Sequence, residues 1–177
     1  MIPLHSMHKG SFVDTFTEVS MRLIAFSDSH NHFFAARKVV DENPTVKHFL
    51  FLGDGASDID ELKTLFPQKE FFAVRGNCDG FCLYPEELML DFDGVKVFCT
   101  HGHRYGIKSD DSRLLLRAAE KGADIVLYGH THIARCDYKN GMYLVCPGSV
   151  YSPRYGDPSY AAVDLTDRGI LCSILKL

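Results

Sequence analysis

Five apolar segments of this chain each end in a short cluster of polar residues. The clusters read SDSH, GD, GNCD, THGH and GHTH, and each follows residues typical of a buried strand. At residues 48–54, four apolar residues precede Gly53, which lets the backbone turn before Asp54. A single acid in this position is usually a turn former or helix cap, but four further strand ends carry the same kind of residues. Because parallel strands present their carboxyl ends at one edge of an α/β sheet, we expect a site there.

Strand-like and helix-like periodicity alternate through the first half of the chain. Strands predicted at residues 22–27, 48–52 and 70–75 are separated by two helical segments, which indicates a right-handed parallel unit. The second half has hairpin signals at Asp93-Gly94 and Asn140-Gly141, and a weaker one near residues 167–169. We therefore predict an α/β fold with two sheets, partly parallel and partly antiparallel, and helices on the outside.

Length and composition fit one globular domain. The chain has 177 residues, 46% of them hydrophobic, and a net charge of −4, which argues against broad binding to nucleic acid or anionic membranes. No apolar run reaches the roughly 20 residues of a membrane span. Six cysteines fall mostly in strand-like runs, which favours reduced thiols and a cytoplasmic location. Residues 1–20 are predicted to be a non-catalytic N-terminal extension, and residues 21–177 a single domain.

Six of the nine histidines lie in three short clusters at strand ends. A packing or surface role is the usual explanation for one histidine, but a His-x-His pair beside Asp-x-His and Gly-Asp motifs favours a metal site. Imidazole and carboxylate suit divalent cations such as Mn, Zn, Fe, Ni and Mg. The candidate metal ligands are Asp28, His30, Asp54, Asn77, His101, His130 and His132. Seven ligands are too many for one tetrahedral ion and suit two ions that share the carboxylate of Asp54.

Taken in order, these motifs resemble those of the calcineurin-like metallophosphoesterase superfamily, most closely its small single-domain phosphodiesterase branch, the YfcE type. The resemblance extends from Met21 to the C-terminus. It implies a four-layer α/β/β/α sandwich of two mixed sheets and hydrolysis of a phosphate ester by a hydroxide that bridges two divalent ions, with manganese expected. The ligands it implies are Asp28, His30, Asp54 and His132 for one ion. For the other ion they are Asp54, Asn77, His101 and His130.

Position 78 departs from the wider superfamily. Many of its phosphomonoesterases carry histidine after the Gly-Asn pair, as a proton donor to the leaving alcohol, whereas this chain has Cys78. A thiol with an ordinary pKa of about 8.5 is a poorer donor, so we expect a preference for diesters with good leaving groups. Asp79 is expected to orient neighbouring groups rather than bind metal. The expected catalytic residues are Asp54, Asn77, Cys78 and His103, with a hydrogen bond to a neighbouring ligand as the equal alternative role for His103.

The expected substrate is a small phosphodiester or a nucleotide-like molecule. Stable nucleic-acid binding is not expected, because the chain lacks a basic stripe. Aromatic residues such as Phe81, Tyr151 and Tyr155 leave a homo-oligomer open.

Two other functions compete with catalysis. A scaffold subunit of the retromer coat resembles this branch and binds partner proteins on the same fold, but the complete set of candidate ligands in this chain favours an enzyme. A binding module with structural metals is the other rival. Structural zinc sites are often rich in thiolates, and this ligand set has oxygen and imidazole donors instead.

Overall fold

The computed structural model describes residues 18–177, which form three α-helices and ten strands. In chain order the elements are β1 (Val19–Phe26), α1 (Phe33–Asp41), β2 (His48–Phe51), α2 (Ala56–Leu65), β3 (Glu70–Ala73), β4 (Glu87–Phe92), β5 (Val95–Thr100), α3 (Ser112–Glu120), β6 (Ile125–Tyr128), β7 (Arg135–Lys139), β8 (Met142–Cys146), β9 (Ser159–Thr166) and β10 (Gly169–Lys176). A short 3₁₀ helix, His103–Tyr105, follows β5. Among the described residues, the helices are all too short or too polar to cross a membrane.

The strands form two mixed five-stranded sheets. The first has the order β10-β9-β1-β2-β3, and its β1, β2 and β3 run parallel. The second has the order β4-β5-β6-β8-β7, and its β5, β6 and β8 run parallel. Antiparallel hairpins join β4 to β5, β7 to β8 and β9 to β10, at the three turns that the sequence predicts. In each sheet, the parallel strands therefore present their carboxyl ends at a single edge.

Three apolar cores hold four layers together. The core between the two sheets includes Leu50 and Val97, both fully buried. Helices α1 and α2 cover the outer face of the first sheet, where Val39 and Ile59 pack against its strands. Helix α3 covers the outer face of the second sheet through Leu114 and its neighbours. The predicted four-layer α/β/β/α sandwich is confirmed.

The first strand begins earlier than the sequence predicts. The apolar pattern predicts it at residues 22–27, but β1 starts at Val19 because Val19 and Met21 already pair with Thr166 and Leu165 of β9. Pairing with a distant strand, rather than the local apolar pattern, sets this boundary. Most of the predicted extension, residues 1–17, lies outside the described residues, and the domain boundary at residue 21 stays a prediction.

Candidate metal centre

Six of the seven candidate ligands meet at the carboxyl ends of the parallel strands. One cluster contains Asp28, His30 and His132, whose ligand atoms all lie within 4.8 Å of one another. A second cluster contains Asp54, His101 and His130 at the same spacing. Asp28 Oδ1 and His101 Nε2 lie 4.0 Å apart and connect the two clusters. Residues up to about a hundred positions apart in sequence are thus brought together.

The carboxylate of Asp54 lies close to both clusters. Its Oδ2 is 3.3 Å from His101 Nε2 in the second cluster. It also belongs to a group with His30 and Cys78, again with ligand atoms within 4.8 Å of one another. A carboxylate in this position can bind one cation through each of its oxygens.

Asn77 is oriented differently from the other six candidates. Its side chain is exposed, and Nδ2 donates a hydrogen bond of 3.2 Å to Cys78 Sγ. Within residues 18–177 its carboxamide makes no hydrogen bond to another candidate ligand. The thiol of Cys78 instead lies next to Asp54, whose Oδ1 accepts a 2.7 Å hydrogen bond from the Cys78 amide.

Backbone carbonyls fix the tautomers of two histidines. Nδ1 of His101 lies 2.6 Å from the Leu52 oxygen, and Nδ1 of His132 lies 2.7 Å from the Ser152 oxygen. A carbonyl oxygen only accepts, so each Nδ1 carries the proton. In the neutral rings, Nε2 therefore keeps its lone pair and points it into the cluster, the arrangement that ligating histidines use.

The buried donor atoms of the centre fit divalent cations. With the histidines neutral, the buried atoms Asp28 Oδ1 and His101 Nε2 make no hydrogen bond with any residue in the described part of the chain. His132 Nε2 lies 3.1 Å from Asp28 Oδ1 and 3.2 Å from His30 Nε2. Lone pairs at this distance need a proton or a cation between them, and buried polar atoms without partners are rare in folded proteins. Oxygen and imidazole donors in this set suit the divalent cations named above.

The electrostatics keep Asp54 and His130 in their ligating forms at neutral pH. Burial alone would raise the pKa of Asp54, but a hydrogen bond from protonated His101 and the charge of that ring outweigh burial and hold the pKa well below its usual range. Burial and the charge of His101 lower the pKa of His130 to about 4. Burial also opposes the charge on His101, yet the hydrogen bond to Asp54 and the charge of Asp28 raise its pKa overall.

The backbone of the site is strained. Eight non-glycine residues among those described have positive φ, and five of them are candidate ligands: Asp28, His30, Asp54, His130 and His132. Two of the others, Asp93 and Asn140, lie in hairpin turns, where this conformation is expected. Left-handed backbone at an ordinary residue costs about 1–3 kcal/mol and gathers at functional sites. These loops are therefore shaped for the positions of their side chains.

Close backbone approach explains two glycines in the motifs. A Cβ on Gly76 would lie 2.0 Å from Asp54 Oδ1, and one on Gly129 would lie 2.1 Å from Ser27 Oγ. Any side chain at these two positions would displace the loops that carry Asp54 and Asp28.

His103 lies beside the second cluster rather than within it. Its ring centroid is 5.4 Å from that of His101 and 6.0 Å from that of His130. Its Nδ1 is buried without a hydrogen-bond partner in the described chain, and burial with the charge of His101 lowers its pKa. A neutral imidazole at this position can contact a phosphate bound at the cluster.

Two serines outside the predicted set of site residues support the first cluster. The buried Ser149 donates a hydrogen bond of 2.8 Å to the backbone oxygen of Asp28, and its Oγ accepts one from the Ser152 amide. The Ser152 oxygen in turn orients His132. The sequence signal was the Pro-Gly-Ser segment after the strand that ends at Cys146, a further polar cluster at a strand end.

Comparison with known proteins identifies the family. The chain matches the Calcineurin-like phosphoesterase superfamily domain over residues 21–168. This protein belongs to that superfamily. It is 34% identical over 148 residues to the probable metallophosphoesterase YsnB of Bacillus subtilis, covering 82% of this chain and 85% of YsnB. It is 30% identical over 122 residues to the phosphodiesterase YfcE of Escherichia coli, covering 58% of this chain and 61% of YfcE.

A vacuolar sorting protein also has this fold. The structure of Vacuolar Protein Sorting 29 from Cryptosporidium parvum matches with a TM-score of 0.71 and 17% identity, over 90% of this chain and 99% of that one. At this identity the similarity concerns the fold alone. The predicted family and the predicted class of enzyme, a metal-dependent phosphoesterase, are confirmed by the superfamily match and its relatives.

Proposed function

We propose that this protein hydrolyses phosphodiester bonds with two divalent cations at the candidate metal centre. The observation that carries the proposal is the position of Asp54, whose carboxylate lies within 4.8 Å of ligand atoms from both clusters. A single ion would need only one of these clusters, whereas two ions would use both and share the carboxylate of Asp54. Two-metal sites of hydrolases use this arrangement to bind both the attacking and the leaving oxygen.

The proposed ligand sets follow the two clusters. Asp28, His30, Asp54 and His132 would hold one cation. Asp54, His101 and His130 would hold the other, and Asn77 would join them after its carboxamide turns away from Cys78. When bound, the cations would supply Lewis acidity at the phosphate oxygens and activate a water for in-line attack at phosphorus. His103 would contact the substrate phosphate from beside the second cluster.

Charge favours diesters over monoesters as substrates. Two divalent cations bring four positive charges, the carboxylates of Asp28 and Asp54 offset two, and the nucleophilic hydroxide offsets one. One positive charge remains, and it matches the single negative charge of a phosphodiester. Cys78 supports the same choice, because burial and the charge of Asp54 raise the pKa of its thiol to about 11 and make it a weak acid.

Further properties of the enzyme are part of the proposal. We expect manganese as the working metal, and a cytoplasmic location fits the six cysteines, all of which are free thiols. Phe81 and Tyr155 are strongly exposed, which supports a homo-oligomer as a prediction for sedimentation velocity to test.

The test is hydrolysis of bis(p-nitrophenyl) phosphate by protein loaded with Mn²⁺. Asp54→Asn should abolish the activity and lower bound metal in elemental analysis. Asp91→Asn is the matched control, because Asp91 accepts a hydrogen bond from Gly94 in the β4–β5 hairpin, at the end of the sheet opposite to the site. Absence of metal-dependent hydrolysis by the wild type, or full activity in Asp54→Asn, would overturn the proposal.

The alternative is a non-catalytic scaffold that binds partner proteins, and the structural similarity to Vacuolar Protein Sorting 29 is what favours it. The same assay separates the two functions. A scaffold would bind cations without turnover on any diester.

A further inference from the structure

A pocket of about 330 Å³ opens next to the candidate metal centre. Thr131, which lies between the candidate ligands His130 and His132, forms part of its wall. The rest of the wall includes Ile107, Ile133, Lys108, Arg135 and Arg154. Its volume is at the lower end of the range of small-molecule sites. The pocket thus has room for a substrate group that extends beyond the scissile phosphate.

Two cations, Lys108 and Arg154, line this pocket beside the metal centre. The amide of Arg154 donates a hydrogen bond of 3.0 Å to the His132 oxygen, which fixes this segment beside the first cluster. Both side chains line the same pocket as Thr131, the residue between His130 and His132. Both positive side chains are exposed, and within residues 18–177 neither forms a salt bridge with a carboxylate.

The third cation, Arg135, is already neutralised. It contacts Asp111 at 2.9 Å and Asp137 at 2.5 Å. Lys139 contacts the same Asp111 at 2.8 Å. Two carboxylates thus match the charges of Arg135 and Lys139, so the unbalanced charge of the pocket comes from Lys108 and Arg154.

We propose that this pocket binds a second phosphate group of the substrate, so that preferred substrates are phosphodiesters carrying another phosphate near the scissile bond. The inference rests on the proposed function, because it names the substrate class of the same site. Guanidinium and ammonium groups without carboxylate partners are the usual ligands of phosphate in proteins, and arginine binds it with two parallel hydrogen bonds. Ile107 and Ile133 supply apolar contacts for the sugar or linker between the two phosphates.

The first test compares two substrates that differ by one phosphate. They are thymidine 5′-(p-nitrophenyl phosphate) and the same ester with an added 3′-phosphate, hydrolysed by the Mn²⁺-loaded protein at low ionic strength. The leaving group is identical, so the ratio of their kcat/KM values reports the second phosphate. We expect a preference of about tenfold for the 3′-phosphorylated substrate, the size of one good charge-assisted contact.

The double variant Lys108→Gln with Arg154→Gln should lower this ratio at least about fivefold, because it removes both unpaired charges. The matched control, Lys96→Gln with Arg168→Gln, removes two exposed charges at the opposite ends of the sheets, one at the start of β5 and one in the β9–β10 turn. The ratio should stay at the wild-type value in this control. Equal kcat/KM for the two substrates would overturn the proposal that the pocket binds a second phosphate. A ratio that stays at the wild-type value in the Lys108 and Arg154 double variant would overturn it too.

A binding measurement separates this inference from the proposed function. Calorimetric titration with thymidine 3′,5′-bisphosphate and thymidine 5′-monophosphate, with and without Mn²⁺, should give about tenfold tighter binding of the bisphosphate. The difference should disappear in the Lys108 and Arg154 double variant. Tighter binding of the bisphosphate without hydrolysis of either ester would reject the proposed function and support phosphate binding in the pocket. Hydrolysis of both esters with equal binding of the two nucleotides would support the proposed function and reject phosphate binding in the pocket.

Discussion

The carboxylate of Asp79 accepts a hydrogen bond from the backbone amide of Asp54, with 2.7 Å between Asp79 Oδ2 and the Asp54 nitrogen. The same oxygen accepts from the Gly76 amide at 2.7 Å. The other oxygen accepts from the amides of Gly55 and Ala56, at the start of helix α2. One side chain therefore ties the loop after β3 to the loop after β2 and satisfies free amides at a helix N-terminus.

We predict that Asp79→Asn weakens both the fold and the metal centre. An asparagine keeps one acceptor oxygen and turns its amide hydrogens toward amides that also donate, so two charge-assisted hydrogen bonds are lost. The free energy of unfolding should fall by about 2–4 kcal/mol, since each such bond contributes about 1.5–3 kcal/mol before relaxation. Mn²⁺ affinity should fall about tenfold or more, because Asp54 loses its support.

Chemical denaturation and Mn²⁺ titration measure these two effects. Asp91→Asn serves as the comparison, since Asp91 accepts a single amide hydrogen bond in a hairpin away from the site. If Asp79→Asn bound Mn²⁺ as tightly as the wild type, Asp79 would not be a positioning residue of the centre.

The sequence predicts the convergence of ligands but not what supports them. Strand ends and the order of parallel strands follow from apolar runs and turn residues, so the meeting of Asp28, Asp54 and His101 at one edge is predictable. The four amides bound by Asp79 are not, because backbone donors look the same at every position of a sequence. The direction of Asn77 was also missed, since a single torsion decides whether its carboxamide faces the ligands or Cys78.

We predict that Gly76→Ala removes metal binding without unfolding the protein. The added methyl would lie 2.0 Å from Asp54 Oδ1 and 2.6 Å from the Asp54 nitrogen, so the loop carrying the shared carboxylate must move. Mn²⁺ stoichiometry from elemental analysis should fall below one ion per chain, while circular dichroism stays that of the wild type. Gly156→Ala is the control: a Cβ there meets no atom within 4 Å, although its φ of +75° makes alanine mildly strained. Two bound ions in Gly76→Ala would contradict this account of the glycine.

We predict that the affinity for Mn²⁺ falls as pH falls, starting above the ordinary imidazole range of about 6.5. The hydrogen bond to Asp28 raises the pKa of His132, and for His101 the bond to Asp54 overcomes the lowering by burial. A raised pKa means that these rings keep a proton to higher pH than a free imidazole, and a protonated ring cannot ligate. Cation binding near neutral pH must therefore release protons.

Calorimetry of Mn²⁺ binding in buffers of different ionisation enthalpy counts the released protons. His48→Gln should leave the count unchanged, because His48 lies at the start of β2 and contacts Glu70, at the end of the strand away from the site. Binding that releases no protons and keeps one affinity between pH 5.5 and 8 would show that these histidines are not ligands.

We predict that Cys78→His raises the hydrolysis of monoesters relative to diesters. Cys78 Sγ lies within 4.8 Å of ligand atoms of Asp54 and His30, so an imidazole at position 78 would sit beside the reacting phosphate. The thiol is a weak acid there, because burial and Asp54 raise its pKa to about 11, whereas an imidazolium can protonate an alkoxide as it leaves. General acid catalysis of this kind contributes about 10²–10⁴-fold, so even a poorly aligned imidazole should change the ratio by about tenfold.

The ratio of kcat/KM for an alkyl phosphate monoester to that for bis(p-nitrophenyl) phosphate measures the effect, with Cys78→Ser as the control that keeps a small side chain. A ratio in Cys78→His equal to that in Cys78→Ser would mean that another group, with His103 the nearest candidate, protonates the leaving oxygen.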